Sequence, residues 1–222
     1  MIRRLSSGTT SPDDIHPGLT AHQRDMVSRC PYLGPSVEKG LTVWSAVEAG
    51  PGDEAGLFAA LVESAELLRR DRRELGPLAC RNIAVLGPGD EGRARQLMQW
   101  PAWLARNLYA PVQLMVGRFW TGVRLTDSKG EAMMPPPVSF FSLRNAIPSK
   151  EGTFLAAKVP EILDVLAAGP GDDGRNVFTE PLGRAVATTD AASVYADLVR
   201  CFPVTGSGSG GSAAGDGKDP KR

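Results

Sequence analysis

The chain has 222 residues, with 25 Lys and Arg against 25 Asp and Glu and no formal net charge. This suits one domain with loose ends and excludes the basic excess typical of a nucleic-acid binder. Three scattered Cys and two His, with no CxxC or HxxxH spacing, exclude a disulfide framework and a closed zinc site, and no apolar run approaches the roughly 20 residues of a membrane span.

The opening stretch, MIRRLSSGTTSPDD, lacks the apolar core of a secretory signal, so a cytoplasmic protein is expected. Residues 1–12 read as a flexible N-terminus. Leu41 to Val47 alternates as a strand does. Asp53 sits where a helix N-cap belongs. After it Leu57, Phe58, Leu61, Val62, Ala65 and Leu68 recur at helical spacing, Arg69, Arg70, Arg72 and Arg73 crowd the far end, and Gly76-Pro77 stops the run. Ile83–Leu86 predicts a second strand. A helix follows from about Asp90 to Asn107, with Pro101 predicting a kink or a break after Trp100. Val112–Trp120 and Val138–Leu143 predict two more strands. A short helix near Val159–Ala168 and one over Asp190–Cys201 complete the set. Residues 205–222 contain no apolar side chain larger than Ala and read as a disordered Gly/Ser-rich tail. The expected architecture is a single domain over 13–204, α/β or α+β, with a mixed central sheet of at least four strands flanked by helices.

Gly87-Pro88-Gly89-Asp90-Glu91-Gly92 fits the dinucleotide-binding pattern GxGxxG between a predicted strand and a predicted helix. Nearly the same phrase recurs at Gly50–Ala55 and Gly169–Gly174. Recurrence within one small domain, and acidic residues where phosphates would sit, favour a Pro-Gly turn followed by an Asp N-cap over nucleotide binding. There is no GxSxG and no Walker A loop.

Two clusters remain as candidate site residues. Cys30-Pro31-Tyr32 follows His22, so Cys30 or His22 can offer a ligand to a soft metal such as a haem iron. His22, in the polar run TAHQRDMVSR, otherwise reads as a helix-surface residue, and Cys30 as a small buried one. Cys80 and Cys201 read as core. On the strands, Arg118 and Trp120 share a face because they are two apart, and Arg144 ends the Val138–Leu143 strand beside Asn145. Arginine forks beside aromatic rings suit a carboxylate or a haem propionate. These positions predict one pocket in which Cys30, Arg118, Trp120 and Arg144 converge, lined by Tyr32, Phe140 and Asn145.

Cys30-Pro31-Tyr32-Leu33, the phrase Met115–Gly122 and the Pro-rich entry to Val138–Arg144 resemble an uncharacterised actinobacterial domain family. Its members carry a Cys-Pro-Phe step and a Gly-x-Phe-aromatic-x-Gly strand, and are often encoded beside natural-product pathways. The resemblance spans roughly residues 16–203. Cys30 to about Leu68 also resembles the YqcI/YcgG-like family, some of whose members are haem-dependent N-oxygenases. These resemblances imply a small-molecule enzyme of bacterial secondary metabolism, with haem as cofactor and an amino-acid-like substrate. Cys30 or His22 would then meet the iron, and Arg118 and Arg144 the propionates or a substrate carboxylate. The alternative is a non-catalytic accessory protein that binds a ligand or a partner. A small-molecule substrate is the expected partner, and a homodimer is left open.

Overall fold

Five strands form one mixed sheet in the computed structural model, which describes residues 3–147 except 10, 31 and 128. They are β1 (Arg3–Thr9), β2 (Thr42–Glu48), β3 (Cys80–Leu86), β4 (Leu114–Phe119) and β5 (Ser139–Asn145), in the order β1-β2-β3-β5-β4. β2 and β3 are parallel neighbours, whereas β5 is antiparallel to both β3 and β4. β4 therefore runs parallel to β2 and β3, and the carboxyl ends of all three lie along one edge of the sheet. The helices are α1 (Leu19–Arg29), α2 (Leu33–Glu38), α3 (Glu54–Leu75) and α4 (Glu91–Tyr109). The architecture is a single α+β domain, as the alternation of predicted strands and helices implies.

α3 and α4 cover one face. Leu57, Phe58, Leu61, Ala65 and Leu68 of α3 are wholly buried, as are Met98, Leu104 and Leu108 of α4. They pack on Val47, Ile83, Val85, Leu114, Val116, Phe141 and Leu143. Each such Leu or Phe contributes about 1.5–3 kcal/mol by leaving water, so this face supplies most of the driving force for folding. The other face carries a smaller core of Leu19 from α1 with Trp44, Ala46, Ala84, Val138 and Phe140. Period-2 alternation sends β5 residues alternately to the two cores: Phe141 and Leu143 to the first, Phe140 to the second.

Three expectations change. Arg3–Thr9 is not a flexible end: it pairs antiparallel with β2 as an edge strand, irregular in register between Arg4 and Ser6 and between Ser6 and Thr9. Its anchors are ionic, Arg3 to Glu48 and Arg4 to Glu63. α4 runs without a break through Pro101, whose ring is buried. The segment before β4 is a 3-10 turn over Ala110–Val112, ended by Gln113 in the left-handed region, so β4 starts at Leu114. The predicted helices at 159–168 and 190–201, the third glycine phrase, Cys201 and the 205–222 tail lie outside the described residues. Among the described residues no helix is long and apolar enough to cross a membrane.

Candidate functional site

Two of the glycine phrases lie side by side. β2 ends into Gly50-Pro51-Gly52-Asp53 and β3, its parallel neighbour, into Gly87-Pro88-Gly89-Asp90; each phrase opens a long helix on the same face of the sheet. Between them is a cleft of about 260 Å³ lined by the Gly-Pro-Gly part of each phrase together with Glu54, Arg93, Gln96 and Leu97. A crevice outside the carboxyl ends of parallel strands is where open sheets of this kind place ligands. The two loops are held close. Gly87 has φ of 106°, and a Cβ there would stand 2.6 Å from the Ala49 carbonyl oxygen, so only glycine lets the strands end this near each other.

The acids of these phrases are spent on the turns. Asp90 Oδ1 accepts the Arg93 amide at 2.9 Å, the N-cap bond expected from sequence, and Asp90 Oδ2 lies 3.3 Å from the Arg93 guanidinium. Asp53 stands at the N-cap of α3, but its side chain turns back to accept the Gly50 amide at 3.0 Å. Hydrogen bonds to Asp53 hold its carboxyl below the usual carboxylate range. Turn chemistry therefore accounts for both phrases, and a side-chain N-cap for the second alone. Glu54 puts a carboxylate in the lining, where it would repel a pyrophosphate. Glu54, Arg93 and Gln96 leave the cleft able to meet an ammonium, a carboxylate and a neutral hydrogen-bonding group.

The residues expected to share one pocket are divided by the sheet. Arg118 has the parity of Leu114 and Val116, so it lies on the α3/α4 face; it meets Trp120, its Cζ 5.5 Å from the indole centroid. Arg144 has the parity of Phe140 and lies on the opposite face, near Cys80. α1 packs on that second face and brings His22 and Cys30 to it. Asn145 returns to the first face, where it accepts from Arg72 at 3.2 Å and donates to the Pro77 carbonyl at 2.7 Å, tying β5 to the end of α3. Tyr32 is the half-buried N-cap of α2. Thus His22, Cys30, Phe140 and Arg144 share a face, and Arg118, Trp120 and Asn145 share the other. The convergence of Cys30 with Arg118 and Trp120 does not occur, because α1, which carries Cys30, packs on the face of the sheet opposite theirs.

His22 is also not a surface residue. It is 1% exposed, edge-on to Phe140 at 5.6 Å between centroids, and neither ring nitrogen has a hydrogen-bond partner among the described residues. Burial pushes its pKa down, against the opposing pull of the Met134 backbone and the Asp25 carboxylate. Phe140 is itself stacked on Phe119 at 4.7 Å and tilted against Trp44 at 5.2 Å, so the second-face aromatics pack on one another. Cys30, at the C-cap of α1, is half-buried; Cys80 is fully enclosed, and burial pushes its thiol up to about 11. A macrocycle needs an open slot with an axial ligand on one side and propionate anchors at its edge. His22 is closed in by its neighbours and the two arginines lie on opposite faces. His22, Cys30, Arg118 and Arg144 therefore do not surround a single slot.

Reading the chain residue by residue did not find the cleft as a site, although the duplicated phrase was its signal: only the parallel pairing of β2 with β3 puts the copies together. Nor did it find Glu66, which accepts from the Tyr109 hydroxyl at 2.8 Å and pairs with the buried Arg69 at 3.2 Å inside the α3–α4 core. No family model, no curated protein and no solved structure matches this chain.

Proposed function

We propose that this protein binds a polar, amino-acid-like small molecule in the cleft between the Gly50–Glu54 and Gly87–Leu97 segments, as the substrate site of a small-molecule enzyme. The observation that carries the reading is the pairing of two Gly-Pro-Gly-Asp loops at the carboxyl ends of adjacent parallel strands, around a cleft of about 260 Å³. Its polar inventory suits a zwitterion: Glu54 faces an ammonium, Arg93 a carboxylate, and Leu97 gives an apolar wall. Glu54 is the carboxylate in that lining available to exchange a proton with the bound amine. A haem step is not carried forward, because the residues expected to hold the group lie on both faces of the sheet.

Calorimetric titration of the full chain with a panel of amino acids, amines and guanidines tests this. Gly89→Leu adds a side chain beside the cleft at a glycine of ordinary φ whose Cβ position has nothing within 4 Å, so the fold is retained. Saturable binding of a zwitterionic member, weakened at least tenfold in Gly89→Leu and in Glu54→Gln, is expected. A panel without a binder, or binding indifferent to both variants, overturns the proposal.

A further inference from the structure

On the side of α4 away from the cleft, two arginines meet one indole. Arg118 of β4 and Arg95 of α4 bring their guanidinium carbons within 5.5 and 5.8 Å of the centroid of the Trp120 ring. Trp120 is 9% exposed and its Nε1–H points to Glu91 Oε1 at 3.4 Å, so the ring is fixed by the first turn of α4. Arg118 is half-buried, and Arg95 and Arg106 both oppose its charge. Arg95 and Arg106 are eleven residues apart, three turns of α4, so they share a helix face about 16 Å long that flanks β4.

Such an arrangement is unfavourable by itself. Like charges repel, and a half-buried guanidinium has lost part of its water. Three other buried or half-buried arginines are answered by acids: Arg29 with Asp25 and Asp127, Arg81 with Asp71, Arg69 with Glu66. Neither Arg118 nor Arg95 has a carboxylate within ion-pair distance among the described residues. Glu91, one turn before Arg95 on α4, is turned to the indole. Stacking on Trp120 orients the two guanidinium planes and leaves their N–H edges for another group.

From this we infer that Arg95, Arg118 and Trp120 form an oxyanion site, separate from the cleft, for the phosphate or carboxylate of a small-molecule ligand. Arg forks match either anion with paired N–H donors, Arg106 adds charge at longer range, and the indole excludes water from one side. An anion seated there offsets the mutual repulsion of the two guanidinium groups.

The test uses the full chain at constant ionic strength. Tryptophan fluorescence is followed on titration with inorganic pyrophosphate and, separately, with succinate, and the affinities are checked by calorimetry. A saturable response to one or both is expected, and the preferred anion tells phosphate from carboxylate. Arg95→Gln, exposed on the helix and so harmless to folding, should weaken binding at least tenfold, and Arg118→Lys, which keeps the charge and loses the fork, should do the same. Trp120→Phe should abolish the fluorescence response while calorimetric binding persists. Gly89→Leu should leave the anion affinity unchanged, which keeps this result independent of the cleft. The inference is overturned if neither anion saturates, or if Arg95→Gln and Arg118→Lys bind as the parent does.

Discussion

Burying the His22 ring, with no hydrogen-bond partner for its nitrogens among the described residues, makes stability depend on pH in a definite window. The folded state holds the imidazole below its ordinary value of 6.5 because burial disfavours the charged ring. The unfolded chain therefore binds more protons as pH falls through about 6.5, and linkage requires stability to fall with it. The direction is loss on acidification: the contribution is fully present above about pH 7 and drains away below the unfolded value. One such group changes stability by at most about 1.4 kcal/mol per pH unit, so the ceiling is about 2 kcal/mol by pH 5. Of the charged groups around the ring, Asp25 on the same helix is the one that favours its protonation, and Asp25 already accepts the Met134 amide at 3.0 Å. The hydrogen-bonded carboxyls Asp13, Asp25, Asp53 and Asp127 are all held below 3.8, so they add their own losses only at more acid pH. Urea unfolding of the parent and of His22→Leu between pH 5 and 7.5 separates the terms. His22→Leu keeps an apolar filling next to Phe140 and removes two unsatisfied nitrogens, so it should match or exceed the parent at pH 7.5. It should lose less stability than the parent on going to pH 5, and His16, common to both proteins, cancels in the difference. Parallel pH curves for the two proteins would refute the reasoning.

Gly87→Ala should destabilise by more than about 1 kcal/mol, since it places a Cβ against the Ala49 carbonyl at a positive φ; an unchanged denaturation midpoint would show that the two loops can part freely. With iodoacetamide at pH 8, peptide mapping should find Cys30 alkylated well before Cys80. Cys30 is half-exposed, whereas Cys80 is buried with its thiol raised to about 11; labelling of Cys80 at the rate of Cys30 would mean that β3 opens locally.

What could be read from the chain was what local periodicity carries. α3 announces itself by apolar residues at helical spacing and by Gly76, and the central strands by short apolar runs. β1 does not, because Arg-Arg-Leu-Ser-Ser-Gly-Thr has no apolar alternation; its place comes from the free edge of β2 and from acids on β2 and α3 that receive its arginines. His22 misleads for a similar reason. Its neighbours in sequence are polar, while the groups that bury it, Phe140 and the chain near Met134, lie more than a hundred residues away. The partnership of Arg118 with Trp120 followed from their spacing. The place of Arg144 did not, because its face depends on register: β5 sets Phe141 opposite Arg118, and three further residues reverse the parity.

The two proposed sites have one geometric origin. β2-α3-β3-α4-β4 repeats a strand-helix unit on one face, and in a simple repeat β4 would lie next to β3. Here β5 occupies that place, displacing β4 outward by one strand, or about 4.8 Å. The first turns of α4 then stand between two neighbourhoods instead of one. Arg93, Gln96 and Leu97 recur at i, i+3 and i+4 and face the loops of β2 and β3, while Glu91 and Arg95, at i and i+4, face Trp120 and β4. The second set is offset from the first by two residues, about 200° around the helix axis. The helix that opens with the Asp90 cap therefore serves the cleft with one stripe and the arginine cluster with the other. The two sites differ in charge: Glu54 and Arg93 line the cleft together, one of each sign, as the two ends of a zwitterion require, whereas Arg95 and Arg118 share the indole, where an oxyanion offsets them.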